Sequence, residues 1–444
     1  DSRQVYVLPL SSQVQNDRLV GTGLCCFERV PDTIPDAAPG CVFSTDDGCK
    51  RLDLVRVLTR SDYKADLVGF VVEDSSISRI HFEKASAVPL QAGSLVFCRQ
   101  GDVSIYYQVI DAKTKEESFD QNPRGIHVVT AAQLGILDPS KGFRKYPWLP
   151  DMNSPVFCPL EPVKLAGTSV PSVDELTLGV VCGSTIPVKA NLEALMDFHT
   201  AILGVTGTGK TELSFDIIRY ALGRNVKVFC VDFTGEYAGR LGDLTPDNLG
   251  LDESHSTRLD ELMLNVELGS FRGETEKKVL NKFISEIKPG IVTSINSFLS
   301  SEGSKLGIFE LPDIANTRTG LRATELYLSE IFNWARRHRR ARRILLVLEE
   351  AHTIVPETNL FGFDKNETPA IVGRMSQIAL QGRKYGVGLL VVSQRTALVS
   401  KTVLSQCNTF ITFSLVDQTS LEFLENVYGE THVKAVPNLP LRQA

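Results

Sequence analysis

The segment at residues 204–211 reads GVTGTGKT and fits the pattern G-x-x-x-x-G-K-[ST]. A short apolar run precedes it at residues 201–203, and residues 212–222 carry apolar side chains at helical spacing. Glycines let the backbone turn tightly and point its N–H groups at phosphate oxygens, and a helix N-terminus adds partial positive charge. This order of strand, loop and helix predicts a phosphate-binding loop; the alternative is a glycine-rich turn that matches by chance.

The loop predicts a site for ATP and Mg²⁺. We expect Lys210 to reach the β- and γ-phosphates, where it serves catalysis, and the Thr211 hydroxyl to bind Mg²⁺. The residues expected to contact the nucleotide are Gly204, Thr206, Gly207, Thr208, Gly209, Lys210, Thr211 and Glu212.

The composition restricts which partners to expect. Apolar residues make up 43% of the 444 residues, which is ample for hydrophobic cores, and the formal net charge is −6. Because the chain is not basic overall, nucleic acid would have to bind a local patch or a lined channel. Nine cysteines without a C-x-x-C pair indicate reduced thiols in a cytoplasmic protein rather than a zinc site. No apolar run approaches the ~18–20 residues of a membrane span.

The periodicity changes once along the chain. Residues 1–175 show period-2 patterns, as at positions 79–83 and 103–109, and predict an all-β domain. Further strands are expected at residues 19–27, 52–58, 67–72 and 93–98. After a Pro- and Ser-rich loop, residues 176–444 alternate strands with helices and predict an α/β domain with a parallel sheet. Residues 242–305 interrupt that alternation and are interpreted as a helical insertion.

An apolar strand at residues 344–348 ends in Glu349 and Glu350. An apolar strand that ends in acidic residues, downstream of a phosphate loop, is the expected Mg²⁺ and water site. We expect Glu349 to hold Mg²⁺ through a water molecule and Glu350 to be the catalytic base that polarises the attacking water. The first acid is usually Asp, so the longer side chain of Glu349 changes its reach. The alternative is a pair of surface acids after a core strand.

A helix is predicted at residues 370–385 and a strand at 387–392. Gln394 follows that strand and suits a catalytic sensor that binds the γ-phosphate or the attacking water. Arg383 suits an arginine finger, because its planar guanidinium matches the charge of the transition state. The alternative for Arg383 is a cation that complements the C-terminal end of its helix.

Two further features leave alternatives open. Asp232 ends the strand predicted at residues 226–231 and lies near the nucleotide side, although an end-of-strand turn would look the same. The run RRHRRARR at residues 336–343, at the end of a helix predicted at 320–340, suits DNA phosphates. Cations at a helix end also complement the helix dipole.

The segments GVTGTGKT, DFTGEY, LVLEEAH, and QGRKYGVGLLVVSQR followed by LSQCNTFI are together similar to the HerA branch of the HerA–FtsK ATPases. This resemblance covers residue 178 onward. The stretch from LVGFVVEDSSISRIHFE resembles the HAS barrel of the same family. The resemblance implies a RecA-like P-loop core preceded by an N-terminal β-barrel, and Glu349 departs from the family's usual Asp.

The resemblance also implies how such a chain works. It implies a homohexameric ring with the nucleotide between neighbouring subunits, and ATP-driven movement of double-stranded DNA through a central pore. It implies a partner effector, either a nuclease or a sirtuin-type NADase, and for bacterial relatives a role in anti-phage defence.

Two interpretations follow. The first is a hexameric DNA-translocating ATPase. The second is a nucleotide-gated ring that assembles and activates a partner effector, with slow or regulatory hydrolysis. A membrane-anchored pump is disfavoured by the lack of an apolar run of spanning length.

Overall fold

The chain forms two compact units. The computed structural model describes residues 6–15, 18–26, 63–117, 124–138, 142–165, 174–268, 273–310, 317–357 and 367–444. One unit comprises Asp1–Val170 with Val180–Val188, and the other comprises Pro171–Gly179 with Lys189–Ala444. Among the described helices, none is long and apolar enough to cross a membrane. The strand expected at residues 52–58 lies outside the described residues.

The first part of the chain is all β, as its period-2 patterns predict. Its strands are β1 (Tyr6–Gln15), β2 (Arg18–Cys26), β3 (Ala65–Val71), β4 (Arg79–Lys84), β5 (Leu95–Gln100), β6 (Val103–Glu117), β7 (Arg124–Asp138), β8 (Gly142–Arg144), β9 (Pro155–Pro159), β10 (Glu175–Val180) and β11 (Pro187–Asn191). β1 pairs with β2 and β10 pairs with β11, each as a two-stranded sheet.

Six strands close into a barrel in the order β4-β3-β9-β5-β6-β7, because β4 also pairs with β7. β8 extends β7 on the outside of this ring. Every pairing in the sheet is antiparallel. Ile105, Tyr107 and Val109 alternate along β6, and each is at most 3% exposed. Their side chains therefore fill the barrel, as alternation on a pleated strand requires.

The second unit is built on a parallel sheet with helices between its strands. Its strands are β12 (Thr200–Leu203), β13 (Lys227–Asp232), β14 (Asp247–Asn248), β15 (Leu306–Glu310), β16 (Ile344–Leu348), β17 (Val387–Ser393) and β18 (Thr409–Thr412). Its helices are α1 (Lys210–Leu222), α2 (Tyr237–Arg240), α3 (Glu253–Leu268), α4 (Gly273–Ser300), α5 (Thr317–Arg337), α6 (Ala351–Ile354), α7 (Glu367–Tyr385), α8 (Lys401–Leu404), α9 (Gln418–Tyr428) and α10 (Glu430–Val433).

The strand order is β14-β15-β13-β16-β17-β12-β18, and every pair is parallel. Successive residues of a strand face opposite sides, so Ile202 packs with α1 while its neighbours Ala201 and Leu203 pack with the α4, α5 and α7 side. A sheet covered on both faces requires continuous apolar strands. The sheet and the barrel confirm the predicted fold class, an α/β P-loop core preceded by a β-barrel.

Three details differ from the sequence expectations. The segment interpreted as a helical insertion contains α3 and α4 but also β14, which pairs with β15 at the edge of the sheet. β15 and β18 were not predicted as strands. The helix predicted to reach residue 340 ends at Arg337, and Arg340 has a φ of +54° that no α-helix accommodates.

Candidate nucleotide-binding site

The predicted site residues other than Arg383 lie near the carboxyl ends of four adjacent strands. β13, β16, β17 and β12 are neighbours in that order. Leu203 at the end of β12 pairs with Ser393 at the end of β17, and Leu348 at the end of β16 pairs with Val231. The segments that follow these strands therefore meet at one edge of the sheet, where α/β proteins bind ligands.

The phosphate loop adopts a backbone that depends on glycine. Gly204, Gly207 and Gly209 have φ values of +154°, +80° and +115°. A Cβ atom on Gly204 would lie 2.7 Å from the Cβ of Phe413, so a side chain there is excluded by contact as well as by conformation. α1 begins at Lys210, directly after the loop, and its N-terminus faces the site.

Lys210 is buried at the start of α1, with 7% of its surface exposed. Its Nζ donates a hydrogen bond to the carbonyl oxygen of Val205 at 2.9 Å. Burial lowers the pKa of Lys210, while the negative charges of Glu350 and Glu349 act in the opposite direction. The lysine is therefore held inside the loop, within electrostatic reach of both acids.

Glu350, Gln394 and Thr206 form a connected chain. Glu350 Oε1 accepts a hydrogen bond from Gln394 Nε2 at 2.6 Å, and Gln394 Oε1 accepts one from Thr206 Oγ1. Glu350 Oε2 is buried and has no hydrogen-bond partner among the described residues; His352 Nδ1 lies 3.2 Å away without hydrogen-bonding geometry. Glu350 also has a φ of +51°, which is strained for a residue other than glycine. The acid predicted as the base thus has one oxygen beside the phosphate loop that accepts no hydrogen bond from a described residue.

Glu349 points into the protein instead of toward the loop. Its Oε2 accepts a hydrogen bond from Tyr237 Oη at 2.5 Å, and Tyr237 Oη lies 2.9 Å from Ser214 Oγ on α1. The pKa of Glu349 is raised to about 7, mainly by burial and with help from the negative charges of Glu350 and Asp232, while the hydrogen bond from Tyr237 and the charge of Lys210 act in the opposite direction. Tyr237 was not predicted as a site residue; its partner is distant in sequence, and only the DFTGEY motif drew attention to it.

Asp232 serves the turn after β13. Its Oδ1 accepts from the amide and the hydroxyl of Thr234, at 2.8 and 2.6 Å, and its Oδ2 accepts from the amide of Tyr237 at 2.9 Å. Of the two alternatives left open by the sequence, the geometry favours the end-of-strand turn. Asp232 thereby holds Tyr237 in position for Glu349.

Replacing Tyr237 with phenylalanine should lower the free energy of unfolding by about 1–3 kcal/mol, because a buried carboxyl loses its donor. Chemical denaturation of the full chain measures this. Tyr327→Phe is the matched control, since the ring of Tyr327 is 2% exposed and its hydroxyl makes no hydrogen bond with a described residue. Equal stability of Tyr237→Phe and the unchanged chain would contradict the assigned role of the hydroxyl.

Arg383 is not brought to this edge of the sheet. It lies in the last turn of α7, before β17 begins, whereas Gln394 follows the end of β17. Seven residues of strand separate them, about 20 Å at the usual rise per residue. The Arg383 guanidinium lies 4.1 Å from the ring centroid of Phe198. Arg383 is therefore unable to reach the nucleotide site of its own subunit.

Several other residues of the loop region have their own contacts. Glu212 is exposed and pairs with Arg240. Thr208 Oγ1 donates to the carbonyl of Val205 at 2.8 Å. Phe413 packs on Gly204, and the amide of Arg442 donates to the Thr208 carbonyl at 3.2 Å. Phe413 and Arg442 were missed by the sequence reasoning, and no local motif marks either of them.

The fold and the loop define a P-loop ATPase with a RecA-like α/β core. Residues 176–306 match the family described as "Helicase HerA, central domain". The predicted resemblance to the HerA branch of the HerA–FtsK ATPases is thus confirmed over this central region.

Curated relatives carry the same family name. The "DNA double-strand break repair helicase HerA" of Pyrococcus furiosus is 40% identical over 81 residues, which is 18% of this chain and only 13% of that protein. The Saccharolobus solfataricus protein of the same name is 23% identical over 415 residues, 76% of this chain and 80% of that protein. Among solved structures, VirB4 of Thermoanaerobacter pseudethanolicus aligns with a TM-score of 0.44 at 14% identity, covering 62% of this chain and 94% of that one.

Proposed function

We propose that this chain is an ATP-hydrolysing subunit of a motor that acts on double-stranded DNA. The observation that carries the proposal is the buried Glu350 oxygen that accepts no hydrogen bond from a described residue, on a carboxylate linked to the phosphate loop through Gln394 and Thr206. A general base must lie within hydrogen-bond reach of the proton it removes, and this oxygen accepts no hydrogen bond from a described residue, although His352 Nδ1 lies 3.2 Å away.

Different residues of the site bind the phosphates and activate the attacking water. The loop amides and Lys210 bind and orient the phosphates, as in other phosphate loops. Glu350 Oε2 accepts a proton from the attacking water. Gln394 orients the Glu350 carboxylate relative to the loop through its hydrogen bonds to Glu350 and Thr206. We propose these roles for the site residues that the sequence predicts. Gly204, Gly207 and Gly209 give the loop its backbone conformation.

The edge offers an all-oxygen donor set that suits Mg²⁺. The Thr211 hydroxyl would hold the ion, and the Glu349 carboxyl would hold it only if the carboxyl turned from Tyr237, to which it is hydrogen-bonded. When bound with the nucleotide, Mg²⁺ supplies neutralisation of the β- and γ-phosphate charge.

DNA binding is supported by a surface that we call the basic edge: Arg336, Arg337, Arg339, Arg340, Arg383 and Lys384. All six side chains are exposed, and none forms an ion pair with an acidic side chain among the described residues. Two of them bind carbonyl oxygens, with Arg337 bonded to Asn333 and Arg340 bonded to Arg383. Arg340, Arg383 and Lys384 also line a cavity of about 490 Å³. Unpaired cations on a chain of net charge −6 are the local patch that phosphate binding requires.

We extend the proposal to a homohexamer that works with a partner effector, which is a nuclease or a sirtuin-type NADase. We also propose that this assembly acts in anti-phage defence. The support for this extension is the family resemblance. The second candidate function is the nucleotide-gated ring with slow hydrolysis. It is favoured by Glu349, because its hydrogen bond to Tyr237 directs the carboxyl away from the water-mediated contact with Mg²⁺ that is expected of a motor.

The test is ATP turnover with and without duplex DNA, together with particle mass, with Lys210→Ala as the inactive control. Stimulation by DNA in a hexamer supports the motor. Slow, DNA-independent turnover in a hexamer supports the scaffold, and turnover that Lys210→Ala does not abolish contradicts both.

Charge reversal at the basic edge should weaken DNA binding without changing turnover in the absence of DNA. In the double variant Arg336→Glu and Arg339→Glu, two phosphate contacts are lost, so the slope of log affinity against log salt should fall by about 2. The control is Lys278→Glu with Lys282→Glu on α4, which changes the net charge equally. Equal losses in both double variants would mean that net charge, and not the basic edge, governs binding.

A further inference from the structure

The segment after the last described helix lies on the phosphate loop. The amide of Arg442 donates a hydrogen bond to the carbonyl oxygen of Thr208 at 3.2 Å. Arg442 has a φ of +62°, a left-handed backbone conformation that residues other than glycine rarely adopt. Such a conformation persists when surrounding structure determines it, and it is concentrated at functional sites. The loop and this segment are therefore joined in one local structure.

The Arg442 side chain lies beside the N-terminus of α1. Its Cγ is 3.7 Å from the position that a Cβ on Gly209 would occupy, and Gly209 directly precedes the helix. The side chain is exposed, and its guanidinium has no ion pair or hydrogen bond with any described residue. Arg442, Lys210 and the helix N-terminus thus place three positive features around the same turn.

We infer that Arg442 contacts the nucleotide within its own subunit and that its guanidinium binds the α- and β-phosphates. This inference rests on the proposed function. The amides at the start of the helix cradle the α- and β-phosphates in this loop type, and Gly209 lies at that start. A guanidinium presents paired donors that match phosphate oxygens. Arg442 differs from Arg383 in location, because it reaches the site from the same chain.

The experiment compares Arg442→Ala with the unchanged full chain by calorimetric titration with ATP and with ADP. Losing a hydrogen bond to a charged group should raise both dissociation constants by about 10–100-fold. Both nucleotides carry the α- and β-phosphates, so the two increases should be equal. Arg442→Lys should recover part of the affinity, since it keeps the charge but not the planar fork. Arg395→Ala, at an exposed arginine of the same edge, is the control and should bind as the unchanged chain does.

Two outcomes overturn the inference. Unchanged affinities in Arg442→Ala would remove the contact, and weakened binding of ATP alone would place it at the γ-phosphate instead. Thermal unfolding checks that the variant is folded, which an exposed position should allow. ATP binding by the unchanged chain separates this inference from the proposed function. If the unchanged chain binds no ATP, the proposed function fails; if it binds ATP and Arg442→Ala binds equally, only the inference fails.

Discussion

Replacing Glu350 with glutamine should leave ATP binding nearly intact and reduce turnover by about 10²–10⁴-fold, the usual contribution of a positioned general base. Glutamine keeps the size of the side chain and can still accept from Gln394 Nε2, which donates to Glu350 Oε1 at 2.6 Å. It removes the second carboxylate oxygen, which is buried and has no hydrogen-bond partner among the described residues. Calorimetric titration with ATP and steady-state turnover measure the two effects separately.

Glu349→Gln is the matched control for this variant. Glu349 accepts from Tyr237, and the carbonyl oxygen of a glutamine accepts the same hydrogen bond. We therefore expect a much smaller loss of turnover from Glu349→Gln. The reverse result, normal turnover in Glu350→Gln and collapse in Glu349→Gln, would show that the two acids have exchanged roles.

The site's edge of the sheet was predictable because its signals are local. Apolar runs before the phosphate loop, before Glu349 and before Gln394 each indicate a buried parallel strand, and the residues after such strands meet at one edge. The linkage among Glu350, Gln394 and Thr206 was not predictable. It depends on β16, β17 and β12 lying side by side, and strand order is a property of the whole sheet.

Contacts between residues that are far apart in the chain could not be predicted from the sequence. Tyr237 meets Glu349, which is 112 positions away, and Arg442 meets Thr208 across most of the second unit. β15 and β18 were missed for a different reason. They have five and four residues, as do the predicted β16 and β12, but no phosphate loop or acidic pair follows them, and a short apolar run alone does not distinguish a strand from other buried structure.

The position of Arg383 follows from elements that the sequence did predict. A helix that leads directly into a parallel strand ends at the amino edge of the sheet, while ligands bind at the carboxyl edge. Arg383 closes α7 just before β17, so it lies on the side away from Gln394. An arginine there has no access to its own nucleotide, and a finger role requires the site of a neighbouring subunit.

If Arg383 completes the neighbour's site, Arg383→Ala should bind ATP nearly normally and hydrolyse it about 10³–10⁵-fold more slowly, the contribution typical of an arginine finger. Lys384→Ala is the matched control, because Lys384 is exposed beside Arg383 and lines the same cavity. Full turnover in Arg383→Ala, or equal losses in both variants, would exclude a finger role. Particle mass must be unchanged, because loss of the contact with Phe198 could otherwise disturb assembly.

Mixing two inactive variants tests whether Arg383 acts between subunits. Arg383→Ala subunits keep Lys210, and Lys210→Ala subunits keep Arg383. In a mixed ring, some Arg383→Ala subunits face an intact Arg383 from a neighbour, so part of the activity should return. Exchange of subunits is followed independently with fluorescent labels. Because Arg383 lies at the opposite edge from its own site, absence of recovery despite proven exchange would leave it no role in hydrolysis between subunits, and the slow turnover of Arg383→Ala would then reflect the structure around Phe198.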